Sequence, residues 1–162
     1  MKKVVLCLLG ILLVIIENSI INYIDIFGVS FNIVIIYITI IALYLDEFEI
    51  GVIGAIIGLV KDITTGAIFG VNGLVLFAIA YGISHLKDKI YKESNITIFA
   101  LVFITSLVDS MVNIAVVNQV YNSYGILEVA SKGILIIPLC NSLLGVILYN
   151  MSKKNILKLK ED

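Results

Sequence analysis

The stretch from Gly54 to Leu74, GAIIGLVKDITTGAIFGVNGL, sets Lys61 and Asp62 between two apolar runs in which glycine recurs every fourth residue: Gly54 and Gly58, then Gly66 and Gly70. A spacing of four puts the members of each pair on one helix face. In lipid, faces of small residues let backbones approach closely, because packing rather than apolar burial drives helix association there. The four glycines therefore read as a helix-packing seam. An ionisable pair beside that seam is costly in hydrocarbon and must face protein or a wet cavity.

The rest of the chain has the same character. Of its 162 residues 60% are hydrophobic and only 14% charged, with a mean hydropathy of +1.12. Soluble domains carry about 25% charged residues, so the solvent that fits this chain is the bilayer. All eleven basic residues are lysines in short polar stretches, which leaves no basic stripe for nucleic acid. Cys7 and Cys140 lie inside apolar runs without a CxxC partner or a nearby histidine, the setting of small buried hydrophobes rather than of a metal or redox site. No metal site and no cofactor is expected. The N-terminal MKKVVLCLLGILLVII has the charged start and apolar run of a signal sequence, but Glu17, Asn18 and Ser19 follow it rather than a small-residue cleavage site, so an uncleaved first span is expected.

Apolar runs divided by brief polar punctuation predict an all-α fold of six transmembrane helices, forming a single domain over residues 1–162: Val4–Ile21, Ile26–Leu45, Ile50–Thr65, Ala67–Ser84, Ile96–Val117 and Ala130–Met151. About 20 helical residues cross a hydrocarbon core of about 30 Å. The third run is short, with roughly 16 Å of helix before Lys61 at 1.5 Å per residue, so Lys61 and Asp62 either lie at membrane depth or mark an early turn. Lys2 and Lys3, then Lys87, Lys89 and Lys92, then Lys153, Lys154, Lys158 and Lys160 fall on one side of such a bundle. By the positive-inside rule that side is cytoplasmic, with both termini on it. The acidic loop Asp46–Glu49 falls there as well, a minor objection because acidic residues contribute little to orientation.

Polar residues inside the apolar runs are the candidate site. Thr105, Asp109 and Asn113, spaced by four, form one stripe on the fifth span, bordered by Ser106 and Ser110. Lys61 and Lys132, the only lysines away from the cytoplasmic regions, are its candidate partners. The stripe is either a ligand, ion or proton site or an interhelical hydrogen-bond network, and networks of this kind are the commoner use. Asp62 stands about 100° from Lys61 on a helix and does not pair with it; with Thr64 and Thr65 following, it can accept backbone N–H bonds where the helix ends. Asn141 and Ser142 follow Pro138, which frees the carbonyl of Ile134 and predicts a kink that Asn141 can help to satisfy. His85, the single histidine, has no catalytic or metal-ligand company and reads as an interfacial residue.

These residues together resemble the rod shape-determining membrane protein MreD family over nearly the full chain. The resemblance rests on Asn32 at the head of the second span, on the run Gly54, Gly58, Leu59, Asp62, Gly66, Gly70 and Asn72, on Ser106-Leu107-Val108-Asp109, and on Asn141. It implies a non-enzymatic adaptor of the bacterial cell-wall elongation complex in the plasma membrane. Its implied partners are an MreC-like protein and, through it, MreB, RodA and a penicillin-binding transpeptidase. It also implies a fold similar to the substrate-binding subunits of energy-coupling-factor vitamin transporters.

Two other functions compete. A vitamin-transporter substrate-binding subunit would present a small-residue A-x-x-x-A face on its first helix, where this chain has only Gly10 among Leu9, Ile11, Leu12 and Leu13. An intramembrane aspartyl protease needs two carboxylates sharing a proton at short range. Asp62 and Asp109 are available, but in Lys61-Asp62 and Val108-Asp109 rather than the Y-D and G-x-G-D settings of such enzymes.

Overall fold

The computed structural model describes residues 2–19, 31–66, 68–91, 94–121 and 132–157. They form α1 (Lys2–Ser19), α2 (Ile33–Ala42), α3 (Glu47–Thr65), α4 (Val71–Leu86), α5 (Asn95–Tyr121) and α6 (Ile137–Leu157), with a 3-10 turn at Lys87–Lys89 and a π turn at Lys132–Ile136. The fold is all-α, as composition predicts. Two stretches are clear candidates to cross a membrane by length and composition, Asn95–Val116 and Ile134–Lys153.

α2 is the axis of the bundle. Apolar all round, it buries Val34, Ile35, Ile36, Ile38, Thr39, Ile40, Ile41 and Ala42, as a helix without a polar face must. It touches each of the other five helices, whereas α3 packs chiefly on α4 and α5 chiefly on α6. The outer faces are apolar instead. Leu139, Leu143, Ile147 and Met151, every fourth residue of α6, are all exposed, as are Val4, Leu8, Leu12 and Ile15 on α1. An apolar stripe on the outside of a folded bundle is what a lipid solvent selects.

Element boundaries depart from the sequence reading where polar residues intervene. Of the expected second span, Ile26–Leu45, residues 26–30 lie outside the described residues, and Phe31 and Asn32 are not helical. Asn32 instead caps α2, its side chain accepting from the Ile35 N–H at 3.1 Å, the usual N-cap use of asparagine. The third helix is longer than expected because Glu47 and Glu49 form its first turn, where carboxylates meet the positive end of the helix dipole. Its 19 residues make about 28 Å of helix, so Lys61 and Asp62 lie in the last turns of a nearly full-length helix. α4 starts four residues later than expected because Gly66 (φ 67°) and Gly70 (φ 96°) turn the chain through the left-handed region. Pro138 is the second residue of α6, which follows the π turn directly, so a change in helix type lies where the kink is expected.

The acidic run Asp46–Glu49 meets basic and imidazole side chains at one end of the bundle. Lys3 pairs with Glu49, Lys87 with Asp46 at 3.2 Å, and the His85 imidazole with Glu47 at 3.1 Å. The start of α1, the start of α3 and the end of α4 therefore share that end. Exposed pairs of this kind are worth about 0–1 kcal/mol each, so they report proximity more than stability.

Candidate functional site

Two buried polar clusters lie at the opposite end of α3. The first is a carboxylate cradle. Asp62, 1% exposed, leaves α3 toward the start of α4 and accepts the Gly70 N–H at 2.9 Å, the Asn72 N–H at 3.2 Å and the Gly73 N–H at 3.3 Å. The Asn72 side-chain amide donates to it at 2.8 Å. The orphan N–H groups at a helix start and the positive end of its dipole are a ready site for an anion, and here the chain's own carboxylate fills it. The sequence reading has Asp62 accepting backbone bonds where its own helix ends; the structure places those donors at the start of the next helix.

Gly54 and Gly58 make this possible. A Cβ on Gly58 would stand 2.4 Å from the Asn72 carbonyl oxygen and 2.6 Å from the Gly73 Cα, and one on Gly54 would stand 2.7 Å from the Leu76 carbonyl oxygen. Backbone meets backbone at both positions. Gly66 and Gly70 are a correction to the expected seam: among the described residues nothing lies within 4 Å of a Cβ at either, and they shape the turn rather than the packing. Thr64 and Thr65 close the end of α3 by donating to carbonyls of their own helix, both to Lys61 and Thr64 also to Val60.

The second cluster is centred on Asn32. Lys61 points away from Asp62 and forms an ion pair with Glu17 of α1 at 2.9 Å, both side chains largely buried. The other Glu17 oxygen accepts the Val34 N–H at 3.0 Å, at the start of α2. Lys61 also donates to the Asn32 side-chain carbonyl at 3.2 Å, while the Asn32 amide donates to Asp109 of α5 at 3.1 Å. The Asn32 backbone N–H goes to Asn141 of α6 at 3.0 Å, and Asn141 donates in turn to Ser106 at 2.7 Å. Asn32 thus bonds four helices, α2, α3, α5 and α6, and reaches α1 through Lys61.

This arrangement revises the expected partners. Asp109 and Thr105 are buried between helices, but Lys61 reaches Glu17 directly and Asp109 only through Asn32. The side chain of Lys132, the other candidate, lies outside the described residues. Thr105 shares a hydrogen bond of 3.0 Å with Thr39 rather than joining Asp109. Asn113 is exposed and bonds its own helix at the Asp109 carbonyl, 3.0 Å away, so the polar stripe ends at Asp109. Asn141 satisfies groups on other elements; it is Ser142 that bonds within α6, donating to the Leu139 carbonyl at 2.8 Å.

Glu17 is the residue the sequence reading passed over. Its signal was present: an ionisable group at the far end of an apolar run, on the same side of the bundle as Lys61. Chemically the two clusters are closed. Among the described residues no buried side-chain nitrogen or oxygen lacks a hydrogen bond, and no three His, Cys, Asp or Glu side chains are grouped to hold a metal. Among the described residues Asp62 and Asp109 share no hydrogen-bond partner.

Comparison with known proteins gives one result. The family model described as rod shape-determining protein MreD matches residues 1–152. No curated protein matches the chain, and no solved structure does.

Proposed function

The chain belongs to the rod shape-determining MreD family, and from that membership we propose that it is a non-enzymatic adaptor subunit of the bacterial cell-wall elongation complex. In this role it sits in the plasma membrane as a multi-pass protein of six spans with both termini in the cytoplasm. It binds an MreC-like protein and, through it, MreB, RodA and a penicillin-binding transpeptidase. The observation that carries the reading is the family match, which runs from α1 into α6 and takes in both polar clusters. The use of the polar side chains supports it: Glu17, Asn32, Asp62, Asp109 and Asn141 each bond an element other than their own. Side chains spent in this way fix a helix arrangement, which is what a partner surface needs.

The experiment is co-purification of the full chain from native membranes, with the retained proteins identified by mass spectrometry. An MreC-like protein should be retained. Retention of a small vitamin-like molecule together with a transporter's energising subunit would replace the adaptor reading with the transporter one. Orientation is tested separately. In a cysteine-free background, single cysteines replacing Lys89 and Asn122 should label from opposite sides of the membrane, and labelling of both from outside intact cells would overturn the six-span topology.

A further inference from the structure

The Asn32 centre does not balance in charge. Its hydrogen bonds and ion pair link two carboxyls, Glu17 of α1 and Asp109 of α5, to a single ammonium, Lys61 of α3. The other side chains of the network, Asn32, Asn141 and Ser106, are neutral. On the neighbouring elements, α2 adds the neutral Thr39, bonded to Thr105, and α4 lines its side of α5 with apolar residues. The side chain of Lys132 lies outside the described residues. With every ionisable group charged, the described residues would leave one negative charge inside the bundle.

The geometry shows where that charge would fall. Lys61 stands 2.9 Å from Glu17, whose other oxygen takes the Val34 N–H at 3.0 Å. Glu17 therefore has both a cation and a backbone donor at a helix start. Asp109 is 7% exposed, and among the described residues its carboxyl has one donor, the neutral Asn32 amide at 3.1 Å. The Asn113 amide goes to the Asp109 backbone carbonyl instead. Lys61 reaches only the carbonyl oxygen of Asn32, at 3.2 Å. An ionised carboxylate with a single neutral donor is too costly for an apolar interior, and such a group takes up a proton instead. The carboxylic acid keeps acceptor capacity, so the bond from Asn32 is compatible with it.

We propose that the Asn32 centre binds one proton, carried as the carboxylic acid of Asp109, which balances its two carboxyls against its one ammonium. The proposal rests on burial and hydrogen bonding and is independent of the adaptor role and of the orientation in the membrane.

The test is infrared difference spectroscopy of the full chain in lipid bilayers at neutral pH, comparing the unaltered chain with Asp109→Asn. Asparagine is neutral and keeps an acceptor for the Asn32 amide. The unaltered chain should show the carbonyl stretch of a protonated carboxylic acid, amounting to one group per chain. Asp109→Asn should lose that band and melt at the same temperature as the unaltered chain. Glu17→Gln leaves Lys61 to offset Asp109 and should shrink the band several-fold. Absence of the band from the unaltered chain, as a counterion supplied by Lys132 would produce, would overturn the proposal, and so would a band that survives Asp109→Asn. A large loss of thermal stability in Asp109→Asn would show that the charge itself is needed and would also overturn it. A band unchanged by Glu17→Gln would overturn the charge balance while leaving the proton on Asp109, so the two failures are distinguishable.

Discussion

Asp62 and Asp109 are both aspartates buried in the same apolar bundle, yet they are accommodated in opposite ways. Asp62 is satisfied by residues 8 to 11 positions ahead of it, three of its four donors being backbone N–H groups. It needs no counterion, because the start of α4 supplies the positive potential. Asp109 is tied through Asn32 to a lysine on α3, a glutamate on α1 and an asparagine on α6, at sequence separations from 29 to 109. A local device of this kind forms with its own hairpin. The distributed one exists only when the whole bundle does.

The sharpest way to break that contrast is at the ion pair. Lys61→Leu leaves Glu17 charged, buried and unpaired, and removal of one partner of a buried pair costs about 3–5 kcal/mol. Thermal stability in detergent should collapse, while the double variant Glu17→Leu/Lys61→Leu should recover a large part of the loss. No recovery in the double variant would mean that Lys61 acts through something other than Glu17.

The next effect concerns the hairpin. Gly58→Leu forces a side chain against the backbone of Asn72 and Gly73, and overpacking costs about 1–3 kcal/mol. A side chain at Gly10 would instead meet side-chain atoms, those of Ile57 and the Tyr37 ring, rather than backbone. Gly58→Leu should therefore be worse than Gly10→Leu in both stability and retention of an MreC-like partner. Equal tolerance would remove the argument that backbone contact at Gly58 matters.

Asp109→Leu should cost a similar amount, about 1–3 kcal/mol for an Asn32 amide left without its acceptor, and Asn113→Leu next to nothing. If stability after Asp109→Leu is normal while cell shape or partner retention fails, Asp109 has a functional role beyond packing. Gly66→Ala should cost about 1–2 kcal/mol, the strain of a left-handed residue with a Cβ. A neutral result there would show that the turn can be made by Gly70 alone.

The same contrast explains what the sequence could tell. The Asp62 turn is written in one short segment: an aspartate, two threonines and paired glycines at fixed offsets announce both the close approach and the reversal. Even so, spacing alone did not separate Gly54 and Gly58, which meet backbone, from Gly66 and Gly70, which adopt positive φ. That distinction depends on where the helix stops, and Gly66 is the stop. The Asn32 centre was legible only as scattered polar residues. Asp109 and Asn141 were visible as expensive groups in apolar runs, but which lysine serves which carboxylate is a matter of how five helices are arranged. Periodicity along one helix carries no such information. It is also why Asn113, in register with Asp109, proved to face outward.

The order in which the chain is made gives the Asn32 centre one more property. Glu17 is synthesised 44 positions before Lys61, and Asn32 is synthesised 109 positions before the Asn141 side chain that receives its N–H. Until α3 is in place Glu17 has no cation, and until α6 is in place the start of α2 keeps an unmet donor. A truncated or misthreaded chain therefore carries exposed polar groups in lipid, each costly enough to be pushed toward water or toward the membrane's quality-control proteases. The centre in this way distinguishes a finished bundle from an unfinished one.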